Sequence, residues 1–208
     1  MIVIKDDFYP NPDEVREKAL SMFFRPGLRE RNRMFPGRRT MSTFSMENFA
    51  YCRNQWEYLL NARIQYFPPR NSNTAFTLSF EEDKDYNWVH HDCSGYLENT
   101  TNMMSGQAYA AVIYMSPDAD VKKGTGLFKS TETQQIRKGF GLKKAEAGFK
   151  GMWEEMENFE MHTYVGNIYN RCVLYPAEYW HAPFCSGFGH DKSTGRLVQV
   201  GFFTINKK

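Results

Sequence analysis

The pattern of apolar and polar residues divides the chain into a helical beginning and a longer part made of short strands. Residues 2–5 are predicted to form a short strand. Residues 11–14, with the sequence Asn-Pro-Asp-Glu, predict a helix start. Asn is a favoured N-cap, proline suits the first turn, and carboxylates stabilise the positive end of the helix dipole. We expect this helix to run to about Phe23 and to stop before Pro26.

A second helix is predicted over residues 46–64. Apolar side chains recur there at spacings of three and four residues, which is typical of a helix face that packs on a core. Pro68 and Pro69 are expected to end the helical part of the chain. The predicted packing face is formed by Phe49, Cys52, Trp56, Leu59, Leu60 and Arg63.

From residue 75 onward the pattern favours short strands separated by turn residues. Residues 136–160 interrupt this series with a lysine-rich and then glutamate-rich stretch, which we interpret as a helical or loop insertion. A series of many short strands is typical of a sandwich or a jelly roll. The predicted strands are Ala75–Phe80, Trp88–His90, Tyr109–Met115, Gly126–Phe128, Met161–Val165, Cys172–Tyr175 and Arg196–Ile205.

Composition excludes two classes of protein. Aromatic residues make up 16% of the chain, which is unlike a disordered segment, and no apolar run reaches the roughly 18 residues that span a bilayer. A length of 208 residues suits one domain. We expect 1–208 to be a single domain, with a strand and supporting helices in 1–70 and a jelly-roll core with the insertion in 71–208.

The net charge is only +2, but arginines are concentrated near the start of the chain. Such a patch could meet phosphates or another anion, whereas a solvated loop is the simpler interpretation. Nucleic acid is therefore an open but not a favoured partner, no membrane partner is expected, and the oligomeric state is not predicted. The patch contains Arg25, Arg29, Arg31, Arg33, Arg38 and Arg39.

The four cysteines show no pair at metal-binding spacing, and the first residues do not resemble a secretory signal. We therefore expect free thiols in a reducing, cytoplasmic compartment and no zinc site. These cysteines are Cys52, Cys93, Cys172 and Cys185.

The histidines are the candidate metal-binding residues. His90 and Asp92 end a predicted strand, and side chains two positions apart on an extended backbone project to the same side, so both could bind one ion. His91 then points away. His181 lies in another short strand further along the chain. Two histidines and one carboxylate form the facial triad used for non-haem Fe(II), which leaves coordination positions open.

Arg196 begins an apolar strand and shares its parity with Val198, Val200 and Phe202. This face should form the barrel interior, where an unpaired charge is costly and a ligand carboxylate would be a suitable partner. Taken singly, each feature has a simpler explanation: His181 could be a hydrogen-bonded core residue, and Arg196 could pair with Glu178 or Asp191. Their occurrence together favours the triad.

Several segments together resemble the Fe(II)/2-oxoglutarate-dependent oxygenases, closest to the prolyl-4-hydroxylase-like branch and to a DUF6445-type subgroup of oxygenases. The resemblance spans nearly the whole chain, and its H-x-D, H and R motif is specific as a set. The segments that carry it are 8–16, 36–40, 89–92, 109–115 with 124–126, 170–175, and His181 through 196–200.

The resemblance implies a mainly β fold with flanking helices (α+β), in which N-terminal helices pack on the outer sheet of a cupin-like double-stranded β-helix. It implies Fe(II) on His90, Asp92 and His181 as the catalytic and metal-binding residues. It also implies that Arg196 binds the distal carboxylate of 2-oxoglutarate, with Tyr114 and then Thr125 as further cofactor-binding candidates. Relatives usually have two glycines before this threonine, whereas this chain has Lys123 and Gly124.

The implied activity is O2-dependent hydroxylation of a C–H bond with release of succinate and CO2. Related halogenases have a small residue in place of Asp92, so the carboxylate favours hydroxylation or a related oxidation. Two alternatives stay open: a non-catalytic jelly-roll binding or assembly protein, and a metal-dependent dioxygenase that does not use 2-oxoglutarate. The substrate, a small molecule or a peptide, is not predicted from the sequence.

Overall fold

The structure is a computed structural model that describes residues 1–26, 37–67, 74–83, 89–92, 106–136, 153–154, 158–185 and 187–206. Within these ranges the chain forms two α-helices and thirteen β-strands. The helices are α1 (Pro12–Ser21) and α2 (Met46–Leu60). The strands are β1 (Val3–Lys5), β2 (Arg25–Pro26), β3 (Arg38–Arg39), β4 (Ile64–Tyr66), β5 (Ala75–Ser79), β6 (Val89–His90), β7 (Gly106–Tyr114), β8 (Thr125–Ser130), β9 (Trp153–Glu154), β10 (Phe159–Val165), β11 (Cys172–Pro176), β12 (His181–Pro183) and β13 (Arg196–Asn206).

Helix α1 begins where the sequence predicts but ends at Ser21, because Met22 already has an extended backbone. Asn11 is the N-cap residue, yet its side chain makes no capping hydrogen bond, so that part of the prediction is wrong. Pro12 in the first turn and the carboxylates of Asp13 and Glu14 remain as the signals that favour this helix start.

Helix α2 is capped at its start by Ser45, whose side chain accepts a hydrogen bond from the backbone N–H of Asn48. It ends at Asn61, which has φ 47° and ψ 46°, a left-handed conformation that asparagine tolerates. The prediction of helix to residue 64 is therefore wrong, since Ile64 already begins β4. Arg63 is exposed and pairs with Glu57 instead of packing on the core.

The strands form two sheets. The larger sheet has eight strands in the order β1-β11-β7-β13-β5-β3-β2, with β4 added beside the far end of β13. The smaller sheet has five strands in the order β10-β8-β12-β6-β9. Every paired strand is antiparallel. Strand β13 is the central strand of the larger sheet, and it pairs with β7 over nine residues and with β5 over five.

Strand β13 separates two apolar regions. Leu197 and Phe203 project to the helices, where the Trp56 ring stacks on Phe203 at 5.1 Å between centroids. Val198 and Val200 project to the other side, with Phe202 packed against them, as the alternation predicted. The space between the sheets is filled from both of them, by Ala110, Tyr114, Leu127, Val165, Val173, Tyr175, Val198 and Val200.

A mainly β chain with two flanking helices is therefore confirmed for the described residues. All seven predicted strands have a counterpart, although Trp88 lies outside the described residues. Most of the predicted insertion at 136–160 also lies outside them, but β9 and the start of β10 fall within it. Among the residues that the structure describes, no helix has the length and apolar composition needed to cross a bilayer.

Candidate metal centre

His90, Asp92 and His181 come together on the inner face of the smaller sheet. His90 of β6 lies directly opposite His181 of β12, and such partners project to the same side of a sheet. The chain then turns just past β6, where the Asp92 N–H donates to the Ala177 carbonyl at 2.8 Å. One ligand atom from each of the three side chains lies within 4.8 Å of the other two.

The donors are arranged as a cation site requires. His181 Nε2 lies 3.2 Å from Asp92 Oδ2, and His90 Nε2 lies 3.9 Å from Asp92 Oδ1. His181 Nδ1 lies 2.9 Å from the Tyr179 carbonyl oxygen. A hydrogen bond from Nδ1 to a backbone carbonyl orients the ring and leaves Nε2 for a metal, as is usual for metal-binding histidines.

The three groups alter one another's protonation. Burial disfavours ionisation of Asp92, but the charge and hydrogen bond of His181, with the charge of His90, outweigh burial and lower the pKa of Asp92. Burial likewise opposes the charged form of His181, but the nearby Asp92 carboxylate prevails and raises the pKa of His181. The centre thus places an anionic carboxylate beside two histidine rings, and with neutral rings this donor set suits Fe(II) and leaves three positions open.

His91 lies on the opposite side of the smaller sheet from this cluster. It is fully buried, and its ring packs against Trp180 with centroids 4.9 Å apart in an edge-on arrangement. The inner side of His181 is instead covered by Tyr175 of β11, with ring centroids 4.8 Å apart. Sequence reasoning missed Tyr175 as a site residue. Its spacing of two residues from Val173 could have predicted that both side chains project between the sheets.

Arg196 lies on the larger sheet, at the start of β13. Its side chain is buried, and it stands directly opposite Ser79 of β5, so the two share the inner face. Within the described part of the chain, Arg196 Nε and Ser79 Oγ are buried without a hydrogen-bond partner. Arg196 forms no ion pair there with Glu178 or Asp191; Asp191 instead accepts bonds from Ser193 and Thr194. Ser79 was not a predicted site residue.

Tyr114 and Thr125 connect the two sheets beside Arg196. The Tyr114 hydroxyl donates to Thr125 Oγ1 at 2.7 Å, and both side chains are buried. Burial raises the pKa of Tyr114 to about 12, against the opposing effects of the Thr125 hydrogen bond and the Arg196 charge. The structure therefore brings together Arg196, Tyr114 and Thr125.

The loop before Thr125 depends on one glycine. A Cβ at Gly124 would lie 1.9 Å from the Val165 carbonyl oxygen, so no larger residue fits without a backbone shift. Lys123, where relatives usually have the other glycine, stays partly exposed, and its ammonium lies 5.2 Å from the centroid of the Phe188 ring. The departure from the family pattern thus falls at the position that tolerates a side chain.

The arginine patch is not a solvated loop where the structure describes it. Arg25, Arg38 and Arg39 belong to β2 and β3, which extend the edge of the larger sheet beside β5. The other arginines of the patch, and Cys93, lie outside the described residues. The described cysteines, Cys52, Cys172 and Cys185, are free thiols, as expected.

Solved structures with a similar fold include two prolyl hydroxylases and an epimerase. A prolyl hydroxylase from Trichoplax adhaerens, complexed with a peptide fragment of hypoxia inducible factor, has a TM-score of 0.57 at 12% identity, covering 99% of this chain and 83% of its own. A Pseudomonas putida prolyl-4-hydroxylase gives 0.53 at 11% identity, covering 99% and 92%. The α-ketoglutarate-dependent epimerase SnoN of nogalamycin biosynthesis gives 0.55 at 14% identity, covering 98% and 78%. At these identities the likeness shows the fold.

The sequence itself assigns the family. This chain belongs to the family of unknown function DUF6445, whose model matches residues 1–203. A search of curated protein sequences found no match.

Proposed function

We propose that this chain is a non-haem Fe(II)- and 2-oxoglutarate-dependent oxygenase that hydroxylates a C–H bond and releases succinate and CO2. The observation that carries the proposal is the convergence of His90, Asp92 and His181 opposite a buried arginine whose Nε has no partner among the described residues. The shared fold of prolyl hydroxylases and SnoN supports it. We also propose that the two facing sheets form a double-stranded β-helix, and that 1–208 is one domain, since β1 to β4 join the larger sheet.

In this proposal His90, Asp92 and His181 hold the iron. Fe(II) with bound 2-oxoglutarate supplies the activation of O2 for oxidation of a C–H bond. The protein contributes geometry: paired strands fix both histidines, the Tyr179 carbonyl orients His181, and the lowered pKa keeps Asp92 an anion. The apolar side chains between the sheets limit the access of water to the reacting atoms.

Arg196 is the proposed anchor for the distal carboxylate of 2-oxoglutarate. A guanidinium binds a carboxylate through parallel hydrogen bonds, and such a pair compensates for the burial of both charges. The Ser79 hydroxyl opposite Arg196 supplies a further donor, and Tyr114 and Thr125 provide hydroxyls beside it. These residues fit the dicarboxylate because each brings a polar group to a buried face on which an anion needs partners.

The test is a calorimetric titration of 2-oxoglutarate into protein loaded with Zn(II), which binds without redox chemistry. We expect one equivalent to bind, and Arg196→Gln to weaken binding at least roughly tenfold, as for the loss of a charged hydrogen bond. Arg63→Gln is the matched control, because Arg63 is exposed and pairs with Glu57 at the end of α2. Arg196→Lys retains the charge and should keep part of the affinity.

Failure of 2-oxoglutarate to bind folded, metal-loaded protein would contradict the proposal. So would equal affinities of the wild type and Arg196→Gln, with circular dichroism showing both folded. Metal binding without 2-oxoglutarate binding would favour a dioxygenase of another kind, and binding of neither would favour a non-catalytic protein.

A further inference from the structure

Tyr175 brings a hydroxyl to the inner face of the larger sheet, beside the metal centre. It lies on β11 two residues from Val173, and both side chains belong to the apolar cluster between the two sheets. Its ring packs on the His181 ring, with centroids 4.8 Å apart and ring planes at 56°. Tyr175 is only 2% exposed, so the side chain is withdrawn from bulk water.

The surroundings of Tyr175 extend from the metal centre to the proposed cofactor anchor. The Asp92 N–H is bonded to the Ala177 carbonyl, two residues after Tyr175 on the same segment. Burial raises the pKa of Tyr175, Asp92 and Tyr114 add to this effect, and the positive charge of Arg196 opposes it. Because Coulomb interactions weaken with distance, the hydroxyl lies near groups at both ends of the site. The ring contact with His181 puts Tyr175 at the metal end.

The Tyr175 hydroxyl donates to no residue in the part of the chain that the structure describes. Two other buried tyrosines do have partners: Tyr9 donates to Gln199 at 2.5 Å, and Tyr114 donates to Thr125 at 2.7 Å. A hydroxyl that is withdrawn from water without a hydrogen bond lowers the stability of the folded state. A ligand that accepts this hydrogen bond would remove that cost.

We infer that the Tyr175 hydroxyl donates a hydrogen bond to the 2-oxo acid end of bound 2-oxoglutarate. The inference rests on the proposed function, in which the metal and Arg196 hold the two ends of this molecule, and it adds a cofactor-binding residue to that site. A tyrosine hydroxyl donates one hydrogen bond, and the oxygens of the 2-oxo acid can accept it. Tyr114 and Thr125 lie beside Arg196, so their hydroxyls serve the other end.

The first measurement is the affinity for 2-oxoglutarate of Tyr175→Phe, which removes only the hydroxyl. Calorimetric titration into Zn(II)-loaded protein should show a dissociation constant roughly fivefold higher than that of the wild type, the change typical of losing one hydrogen bond. Tyr109→Phe is the matched control, because the Tyr109 ring stacks on Phe203 on the helix side of the larger sheet. Its affinity should equal that of the wild type.

The visible spectrum distinguishes a contact with the 2-oxo acid from a general effect on packing. A hydrogen bond withdraws electron density from the chelating 2-oxo acid and lowers the energy of the orbital that accepts the electron in the charge-transfer transition. With Fe(II) and saturating 2-oxoglutarate under anaerobic conditions, Tyr175→Phe should therefore shift the charge-transfer band to shorter wavelength. Tyr109→Phe should leave the band at the wild-type position.

Urea denaturation of the ligand-free protein completes the test. Tyr175→Phe should be at least as stable as the wild type, because it removes a hydroxyl that has no hydrogen bond to the described residues. Lower stability, or loss of bound zinc, would assign the hydroxyl a structural role and overturn the inference. Unchanged 2-oxoglutarate affinity or an unmoved band in Tyr175→Phe would overturn it as well.

The wild type separates this inference from the proposed function. If wild-type protein loaded with Zn(II) does not bind 2-oxoglutarate, the proposed function itself fails. If the wild type binds 2-oxoglutarate and Tyr175→Phe binds it equally well, only the role of Tyr175 is overturned.

Discussion

His181 Nε2 lies 3.2 Å from Asp92 Oδ2, although the two residues belong to segments far apart in the chain. Backbone pairing creates this proximity: His181 is the cross-strand partner of His90, and the Asp92 N–H is bonded to the Ala177 carbonyl. Side chains on rigid, paired strands are held in better defined positions than side chains on loops. The cluster is therefore organised by the sheet before any ligand binds.

Tyr114 should contribute to cofactor affinity through its hydroxyl. Tyr114→Phe removes the group that donates to Thr125 at 2.7 Å, and with it one hydroxyl beside Arg196. We expect the dissociation constant of 2-oxoglutarate on Zn(II)-loaded protein to rise roughly fivefold, which is the change in affinity typical of losing one hydrogen bond. Tyr109→Phe, nearer the other end of the same strand, is the control and should have no effect. Unchanged affinity in Tyr114→Phe would remove Tyr114 from the proposed cofactor site.

Gly201 should be indispensable for the packing of α2 on the larger sheet. A Cβ at this position would lie 2.3 Å from Cη2 of the buried, rigid Trp56 ring. Gly201→Ala should lower the free energy of unfolding by about 1–3 kcal/mol, the usual cost of overpacking a core. Urea denaturation measures this quantity.

Gly166→Ala provides the comparison for Gly201→Ala. Its Cβ would meet the end of the Val121 side chain at 2.7 Å, and Val121 is half exposed and can rotate away. A small effect is expected. Equal stabilities of the two variants would show that the Trp56 contact is not the constraint described.

The Asp6–Arg171 pair should make stability dependent on acid pH. Arg171 donates to both carboxylate oxygens of Asp6, at 2.5 and 2.8 Å, and these bonds lower the pKa of Asp6 despite partial burial. A carboxyl with a lowered folded-state pKa stabilises above the unfolded value of about 3.9 and loses this contribution as the pH falls through the folded value.

Asp6→Asn should therefore reduce the free energy of unfolding at pH 7 by at most ~1 kcal/mol, because half of the Asp6 side chain is exposed. The deficit should shrink as the pH falls below about 4. Urea denaturation at pH 7 and pH 3 measures both values, with the exposed Asp118→Asn as control. A deficit that is the same at the two pH values would contradict this origin of the stability.

Much of the fold could be predicted from the sequence, because the spacing of apolar residues agrees with the side on which each residue packs. The alternation in β13 placed Arg196 on the same side as Val198 and Val200, and the structure has them on one face. The spacing of His90 and Asp92 likewise predicted that they share a side, and their ligand atoms do lie together, although Asp92 follows the end of β6 and is held by its bond to Ala177. These features depend on the two-residue period of a strand, which is a property of the sequence.

The remaining features depend on long-range pairing, which the sequence does not state. Ser79 can be identified as a site residue only from the strand pairing that places it opposite Arg196. Arg39 lies in a two-residue strand that exists because it adds to β5, and such a short segment has no period to detect. Helix α2 was extended too far because the apolar pattern continues into Ile64, where pairing with β13 replaces the helix.

The most direct test of an iron centre that uses 2-oxoglutarate is an anaerobic visible spectrum of the purified protein with Fe(II) and 2-oxoglutarate. We expect a weak charge-transfer band in the wild type, its loss in His181→Ala, and its retention in His162→Ala, which alters an exposed histidine of β10. Absence of the band from folded wild-type protein, or its persistence in His181→Ala, would contradict the assignment of His90, Asp92 and His181 as the iron ligands of an oxygenase.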